Sequence, residues 1–307
     1  MDIFLQQIIN GLVLGSIYAL VALGYTMVYG ILGLINFAHG DIVMVGALVA
    51  LTVIHTLGGS GLPPLVVLSV AMLAAIVVCV AIGVSVERVA YRPLRRAPRL
   101  APLITAIGVS ILIQYSAALI WGKQYIALPQ IVSPSSIEIG GAQVSDLQAC
   151  IFLLACAIMG GLLWFIKSSR VGRAMRATEQ NPDIAGLMGV DTNRIIAFTF
   201  LIGSAIGAIA GVMVALYYGL GHYFMGFMLG LKAFTAAVLG GIGNVAGAML
   251  GGLLLGVIES LASGYIGDLT GGLLGSNYRD IFAFLVLIGV LVLRPSGLMG
   301  QQVSERA

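Results

Sequence analysis

The sequence predicts an all-α integral membrane protein, a polytopic helical bundle of about eight full spans plus a short broken or re-entrant segment. Three observations predict it. Of 307 residues, 60% are apolar and only 9% are charged, against about 25% charged in an ordinary soluble domain. The mean hydropathy of +1.08 is more apolar surface than a soluble core of this length could hide. The 42 glycines are about twice the usual share of roughly 7%, and membrane helices use glycine to bring backbones close. Residues 1–307 therefore read as a single transmembrane domain, with no soluble catalytic domain attached.

The spans follow in order. A crossing helix needs about 20 mostly apolar residues, and the first candidate runs from about Leu5 to Leu34. The N-terminus, MDIFLQQIIN, lacks the basic region of a cleaved signal, so this segment is expected to be retained. GLINFAHGD then breaks the apolar run. Asn36 suits a turn that needs left-handed geometry. Asp41 fits either the N-cap of the next span or an intramembrane carboxylate with a function. His39 fits either a packing role or the edge of a path. Further spans run from Ile42 to Leu57, Pro64 to Val86 and Leu100 to Trp121, the last two separated by Arg88, Arg92, Arg95, Arg96 and Arg99. A polar loop at about 122–146 precedes a fifth span, Leu147 to Ile166. The water-compatible segment 168–194 precedes a sixth, Ile195 to Tyr217.

Basic residues orient the chain. The arginine cluster and the 168–194 segment are expected to be cytoplasmic, and the 122–146 loop external. Counting back places the N-terminus outside. The tail RPSGLMGQQVSERA, with Arg294 and Arg306, is expected inside. The last span, Ile281 to Leu293, must then enter from outside, so the region between Leu229 and Tyr278 crosses an even number of times. Gly240, Gly241, Gly243 and Asn244 break that region into a short leg and a longer one. Unwound backbone at membrane depth needs protein or a wet cavity around it, so this turn and the one at Asn36–Asp41 are candidate elements of a translocation path. Glycines spaced by four mark close helix packing: Gly203, Gly207 and Gly211, then Gly247 and Gly251.

The motifs of catalysis are missing: GxSxG, HExxH and GxxxxGK[ST] do not occur. Cys79, Cys150 and Cys156 have no metal spacing and read as small buried hydrophobes. No metal site is expected. Glu259, late in an apolar leg, either faces a cavity or reaches the interface. The stretch AMRATEQNPDIAGLMGV, Ala174 to Val190, reads as two short helices around Asn181-Pro182. Ile184, Leu187 and Met188 make an apolar stripe on the second, the pattern of a surface that seats against a partner or of a helix that lies on the membrane surface or on its own bundle.

Five blocks in order carry a resemblance: GYTMVYGILGLINFAHGD, SVERVAYRPLRRAPRLAPLITAIGVSI, SRVGRAMRATEQNPDIAGLMGVDTNR, GLKAFTAAVLGGIGNVAGAMLGGLLLG and RPSGLMG. The chain resembles the LivH-type permeases of branched-chain amino acid ABC importers over essentially its whole length. The resemblance implies a multi-pass subunit of the bacterial inner membrane that imports leucine, isoleucine and valine without an ATPase site of its own. It implies a second, LivM-type permease, two cytoplasmic ATPase subunits that use ATP and Mg, and a periplasmic substrate-binding protein. No cofactor on this chain and no nucleic-acid partner are implied. It also makes the cytoplasmic loop a coupling segment, with Arg173, Glu179, Asn181, Ala185, Gly186, Leu187 and Gly189 seated on the ATPase. The same machinery could instead import other amino acids, amides or urea. A stand-alone channel or carrier would have no use for the Ala174–Val190 loop.

Overall fold

The computed structural model describes residues 2–95, 97–98, 100–129, 135–271 and 278–300. Arg96, Arg99 and Arg306, which contribute to the orientation argument, lie outside the described residues. Eleven α-helices appear among the described residues. They are α1 (Asp2–Leu32), α2 (His39–Leu57), α3 (Pro64–Val86), α4 (Leu100–Trp121), α5 (Asp146–Ser168), α6 (Arg170–Gln180), α7 (Pro182–Leu187), α8 (Thr192–Tyr218), α9 (Met225–Gly240), α10 (Val245–Leu269) and α11 (Arg279–Leu293). A π-helical turn, Glu87–Tyr91, and a 3-10 turn, Arg92–Leu94, extend α3. Seven helices are long and apolar enough to cross a membrane, and Met225–Gly240 and Asp280–Leu293 are shorter apolar helices.

The helix ends follow local chemistry. Pro63 precedes α3, whose first turn opens on Pro64, where a missing N–H costs nothing. Asp191 caps α8 by accepting from the Arg194 amide at 3.1 Å. Gly219, at φ 68°, closes α8 in the left-handed conformation. The segment after α4 is not structureless. Strand β1 (Ile126–Ala127) pairs antiparallel with β4 (Leu220–Gly221), and β2 (Ser136–Ile139) pairs with β3 (Ala142–Ser145) as a hairpin. These short strands satisfy backbone groups that polar loop residues would otherwise leave to water.

The chain divides into two compact units. The first comprises Met1–Thr26, Pro134–Met159 and Lys232–Ala307; the second comprises Met27–Ser133 and Gly160–Leu231. In the second unit α2 is the central helix, with Ile42, Met44 and Leu48 wholly buried. It packs on α3, where the Cys79 thiol donates to the Ile42 carbonyl at 3.3 Å, and on α8 by direct backbone approach. A Cβ built on Gly46 would meet the Ala208 Cα at 2.9 Å, and one on Gly211 would collide with the Val43 carbonyl. Gly207 leaves room for the His39 ring, whose Cε1 lies 3.2 Å from a Cβ built there, and Gly203 is buried on the same helix. Lipid tails are as apolar as leucine, so such close van der Waals contact is what holds membrane helices together.

The first unit uses the same device twice. Gly15 and Gly256 face each other across α1 and α10, with no room for a side chain at either. Gly247 and Gly251 bring α10 onto Gly240 and the Ala236 carbonyl of α9. Between residues 225 and 269 the chain forms two helices, the shorter α9 and the longer α10, joined at the glycine turn. The first, at 16 residues, is about 24 Å long, a little short of the roughly 30 Å hydrocarbon core.

Candidate functional site

The break after α1 is built around buried polar groups in the second unit. Gly33 ends the helix at φ 63°. Asn36 is buried and accepts a hydrogen bond from the Tyr91 hydroxyl at 2.9 Å. Its carbonyl accepts from the His39 amide at 3.0 Å, which starts α2 inside the protein. Asp41 is not the cap of that helix. The N-cap position is Ala38, with no side-chain cap bond. Asp41 lies inside the first turn, 1% exposed, and turns outward from its helix to α4. There it accepts from the Ser110 hydroxyl at 2.5 Å and from Gln114 Nε2 at 3.0 Å. Two donors one helical turn apart on α4 offer a carboxylate better partners than its own helix amides.

The helix start that meets this turn is that of α9. A Cβ on Gly226 would lie 2.6 Å from the Gly40 carbonyl oxygen and 2.9 Å from an Asp41 carboxylate oxygen. A Cβ on Gly40 would lie 2.7 Å from the Gly230 Cα. The first turns of α2 and α9 thus pack backbone on backbone, and the positive ends of two helix dipoles converge on one carboxylate. The approach depends on glycine at Gly40 and Gly226. The apolar sequence MGFMLG gives this away only through its paired glycines.

Gly240, Gly241, Gly243 and Asn244 lie in the first unit and form a turn closed by the chain's own tail. The Leu298 and Met299 amides donate to the Leu239 and Gly240 carbonyls, each at 2.9 Å. Asn244 Nδ2 donates to the Met299 carbonyl at 2.9 Å, while Asn244 Oδ1 accepts from the Gly247 amide at 3.0 Å and caps α10. The carbonyl ends of α9 are therefore engaged by RPSGLMG.

Glu259 does not reach for the interface. It is fully buried in the first unit. Its carboxylate accepts from Lys232 Nζ at 2.7 Å and from the Tyr18 hydroxyl at 2.9 Å. Lys232 also pairs with Asp280 at 2.8 Å and lies 5.6 Å from the Tyr18 ring centre. One cation thus ties α1, α9, α10 and α11 together. Sequence reasoning singled out Glu259 and missed Lys232, Tyr18 and Asp280. The signal was there: an intramembrane charge wants an opposite one, and Lys232 is the one lysine or arginine between Arg194 and Arg279.

The segment between α5 and α8 lies outside the spans. Ser169 caps α6 by accepting from the Gly172 amide at 2.8 Å. Asn181 ends α6 and caps α7, accepting from the Asp183 and Ile184 amides at 3.0 and 3.1 Å. Gly189, at φ 86°, turns the chain toward α8. Ala185 is buried, anchoring α7, and Gly186 is exposed. Ile184, Leu187 and Met188 are 57%, 87% and 81% exposed, a bare apolar face on a helix outside the spans. Arg173 is exposed and donates to the Ser168 carbonyl at 3.2 Å. The Glu179 carboxyl rests against Gly30 near the end of α1. Partial burial of the carboxyl there shifts its pKa upward, and the neighbouring Arg176 opposes the shift. Arg95 pairs with the buried Glu87 and with Asn193. Burial lowers the Arg95 pKa, and Glu87 opposes that shift.

A many-span helical protein with a broken-helix site among its spans and a bare apolar helix outside them has the build of a membrane transport subunit. The model of the family described as "Branched-chain amino acid transport system / permease component" matches residues 7–291. The high-affinity branched-chain amino acid transport system permease protein LivH of Salmonella typhimurium is 46% identical over 308 residues, covering 99% of this chain and 97% of its own. The corresponding permease protein BraD of Pseudomonas aeruginosa is 46% identical, covering 99% and 98%. The probable branched-chain amino acid transport permease protein LivM of Methanocaldococcus jannaschii is 26% identical, covering 94% and 91%. The chain belongs to the branched-chain amino acid permease family.

Proposed function

We propose that this chain is the membrane subunit through which an ABC importer moves leucine, isoleucine and valine into the cytoplasm. The observation that carries the reading is α7, whose exposed Ile184, Leu187 and Met188 stand on a helix anchored by Ala185 and capped by Asn181. A channel or carrier working alone has no use for such a surface. An ATPase subunit seated on it would hold Glu179, Asn181, Gly186, Leu187 and Gly189 at the contact, with Arg173 beside them. The ATPases use ATP and Mg; this chain binds neither and has no catalytic site.

The geometry supports a route for the stroke. Helix α6 rests on the end of α1 through Glu179 and Gly30, and α7 leads through Asp191 into α8. Helix α8 packs on α2 at Gly207 and Gly211. A push on α6 and α7 therefore reaches the Asn36–Asp41 break, where His39 and Asp41 are candidates for the path wall. The substrate is a zwitterion with a branched apolar side chain, and a carboxylate among apolar helices suits its ammonium. Gly240, Gly241, Gly243 and Asn244 act as the tail-clasped end of α9, and Glu259 holds the helices that flank it.

In this reading residues 1–307 form one permease domain in a bacterial inner membrane. The segment 168–194 and the C-terminus are cytoplasmic, and the N-terminus and loop 122–146 are external. The partners are a LivM-type permease, two ATPase subunits and a periplasmic binding protein. The test is co-purification: the tagged chain should bring down these subunits, and the binding protein should carry a branched-chain amino acid. A binding protein loaded with an amide or urea would reassign the substrate and leave the machinery standing.

A further inference from the structure

The flank of the second unit carries a feature that transport does not use. A cavity of about 570 Å³ opens between α3 and α4. Val45 of α2 forms part of its floor, Val78, Ile82 and Val89 one wall, and Leu112 and Trp121 part of the other. Leu112 and Val89 are largely exposed, so the cleft opens sideways. Both helices are long and apolar enough to cross a membrane, and a sideways cleft between such helices faces lipid.

Its lining and length suit a hydrocarbon chain. The lining follows α4 from Val109 to Trp121, about 18 Å of helix, and Ser85 and Ser116 are the only hydroxyl-bearing residues among those that line it. A chain lying there gains van der Waals contact along both walls, the interaction that packs apolar surfaces within a bilayer. Charge selects the headgroup. Arg88 and Arg92 follow the lining residues Ser85 and Val89 by one turn each, and both are exposed. Neither makes a hydrogen bond or ion pair among the described residues, whereas nearby Arg95 is engaged by Glu87 and Asn193. Basic residues at the end of an apolar cleft between spans fit a lipid phosphate.

We propose that the α3–α4 cleft is a binding site for one anionic phospholipid, with an acyl chain along Val78–Val89 and Leu112–Trp121 and its phosphate held by Arg88 and Arg92. The test uses the full chain with its co-purifying subunits, delipidated in detergent and titrated by native mass spectrometry. The probes are phosphatidylglycerol and phosphatidylcholine of the same chain length. One phosphatidylglycerol should bind about thirtyfold more tightly than phosphatidylcholine, the difference expected for two arginines near a headgroup. Arg88→Gln with Arg92→Gln should bring it to the phosphatidylcholine level. Ser116→Trp and Ala81→Trp, at exposed lining positions, should expel both lipids, with thermal unfolding checking that the variants are folded. Equal binding of the two lipids overturns the proposal. So does unchanged binding in folded cleft-filling variants, or displacement of the lipid by inorganic phosphate. Cross-linking of a cysteine at Ser116 to another membrane subunit would assign the cleft to a protein interface instead.

Discussion

Lys232 and Glu259 are 27 residues apart in the chain and 2.7 Å apart in the fold. With Tyr18 and Asp280 they hold four helices by one buried cation. Removing one partner of a buried pair costs about 3–5 kcal/mol, because the other charge is left stranded. Lys232→Met should therefore lower the unfolding temperature of the purified protein sharply. Lys232→Met with Glu259→Gln should recover part of the loss, since the stranded charge goes too. A double variant no more stable than the single one would contradict the pairing account. Glu259 was legible in the sequence as an intramembrane charge. Its partner was not, because pairing across helices leaves no local pattern. Of the two readings of Asp41, the cap failed for a related reason. Its position just before an apolar run satisfies the local rule, but Ser110 and Gln114, about 70 positions away, offer stronger partners.

At the level of elements, the long spans were legible because apolar run length sets helix length in a bilayer. Pro64 to Val86 and Leu100 to Trp121 match α3 and α4 end to end. The Asn181-Pro182 break between α6 and α7 was legible because a capping side chain and a fixed φ coincide there. The hairpin β2–β3 was legible but missed: Ser136-Ile137-Glu138-Ile139 and Ala142-Gln143-Val144-Ser145 alternate polar and apolar residues around Gly140-Gly141. The seating of α9 on α2 was not legible, since it depends on Gly40 meeting Gly226. Gly226→Val should drive these helix starts apart, and the variant should be degraded or aggregate on extraction; a folded variant with normal uptake would contradict the close approach. The α6–α1 contact predicts a pH effect. The raised native pKa of Glu179 means that protonation favours the folded state. Its contribution to stability is present below the unfolded pKa and is lost as pH rises through the native value. Glu179→Gln should flatten that part of the profile of unfolding temperature against pH. The effect is small, because the side chain is partly solvated.

For the whole molecule, orientation and energy source are the claims at stake. In the proposed topology, residues near Ala97 and Ser135 stand on opposite faces of the membrane. Single cysteines at Ala97 and Ser135 should react with an impermeant thiol reagent from opposite sides, and reaction of both from one side would contradict the topology. The central claim is that partner ATPases drive this chain through α7. The direct measurement is uptake of radiolabelled leucine into proteoliposomes holding the complete assembly and its loaded binding protein, with ATP on the ATPase side. Wild-type protein should import leucine only with ATP. Leu187→Asp, which places a charge on the exposed face of α7, should assemble as a folded permease and lose at least tenfold of the ATP-dependent rate, as expected for a charge forced into an apolar contact. Leucine uptake by this chain alone without ATP, or an unimpaired Leu187→Asp assembly, would contradict the account.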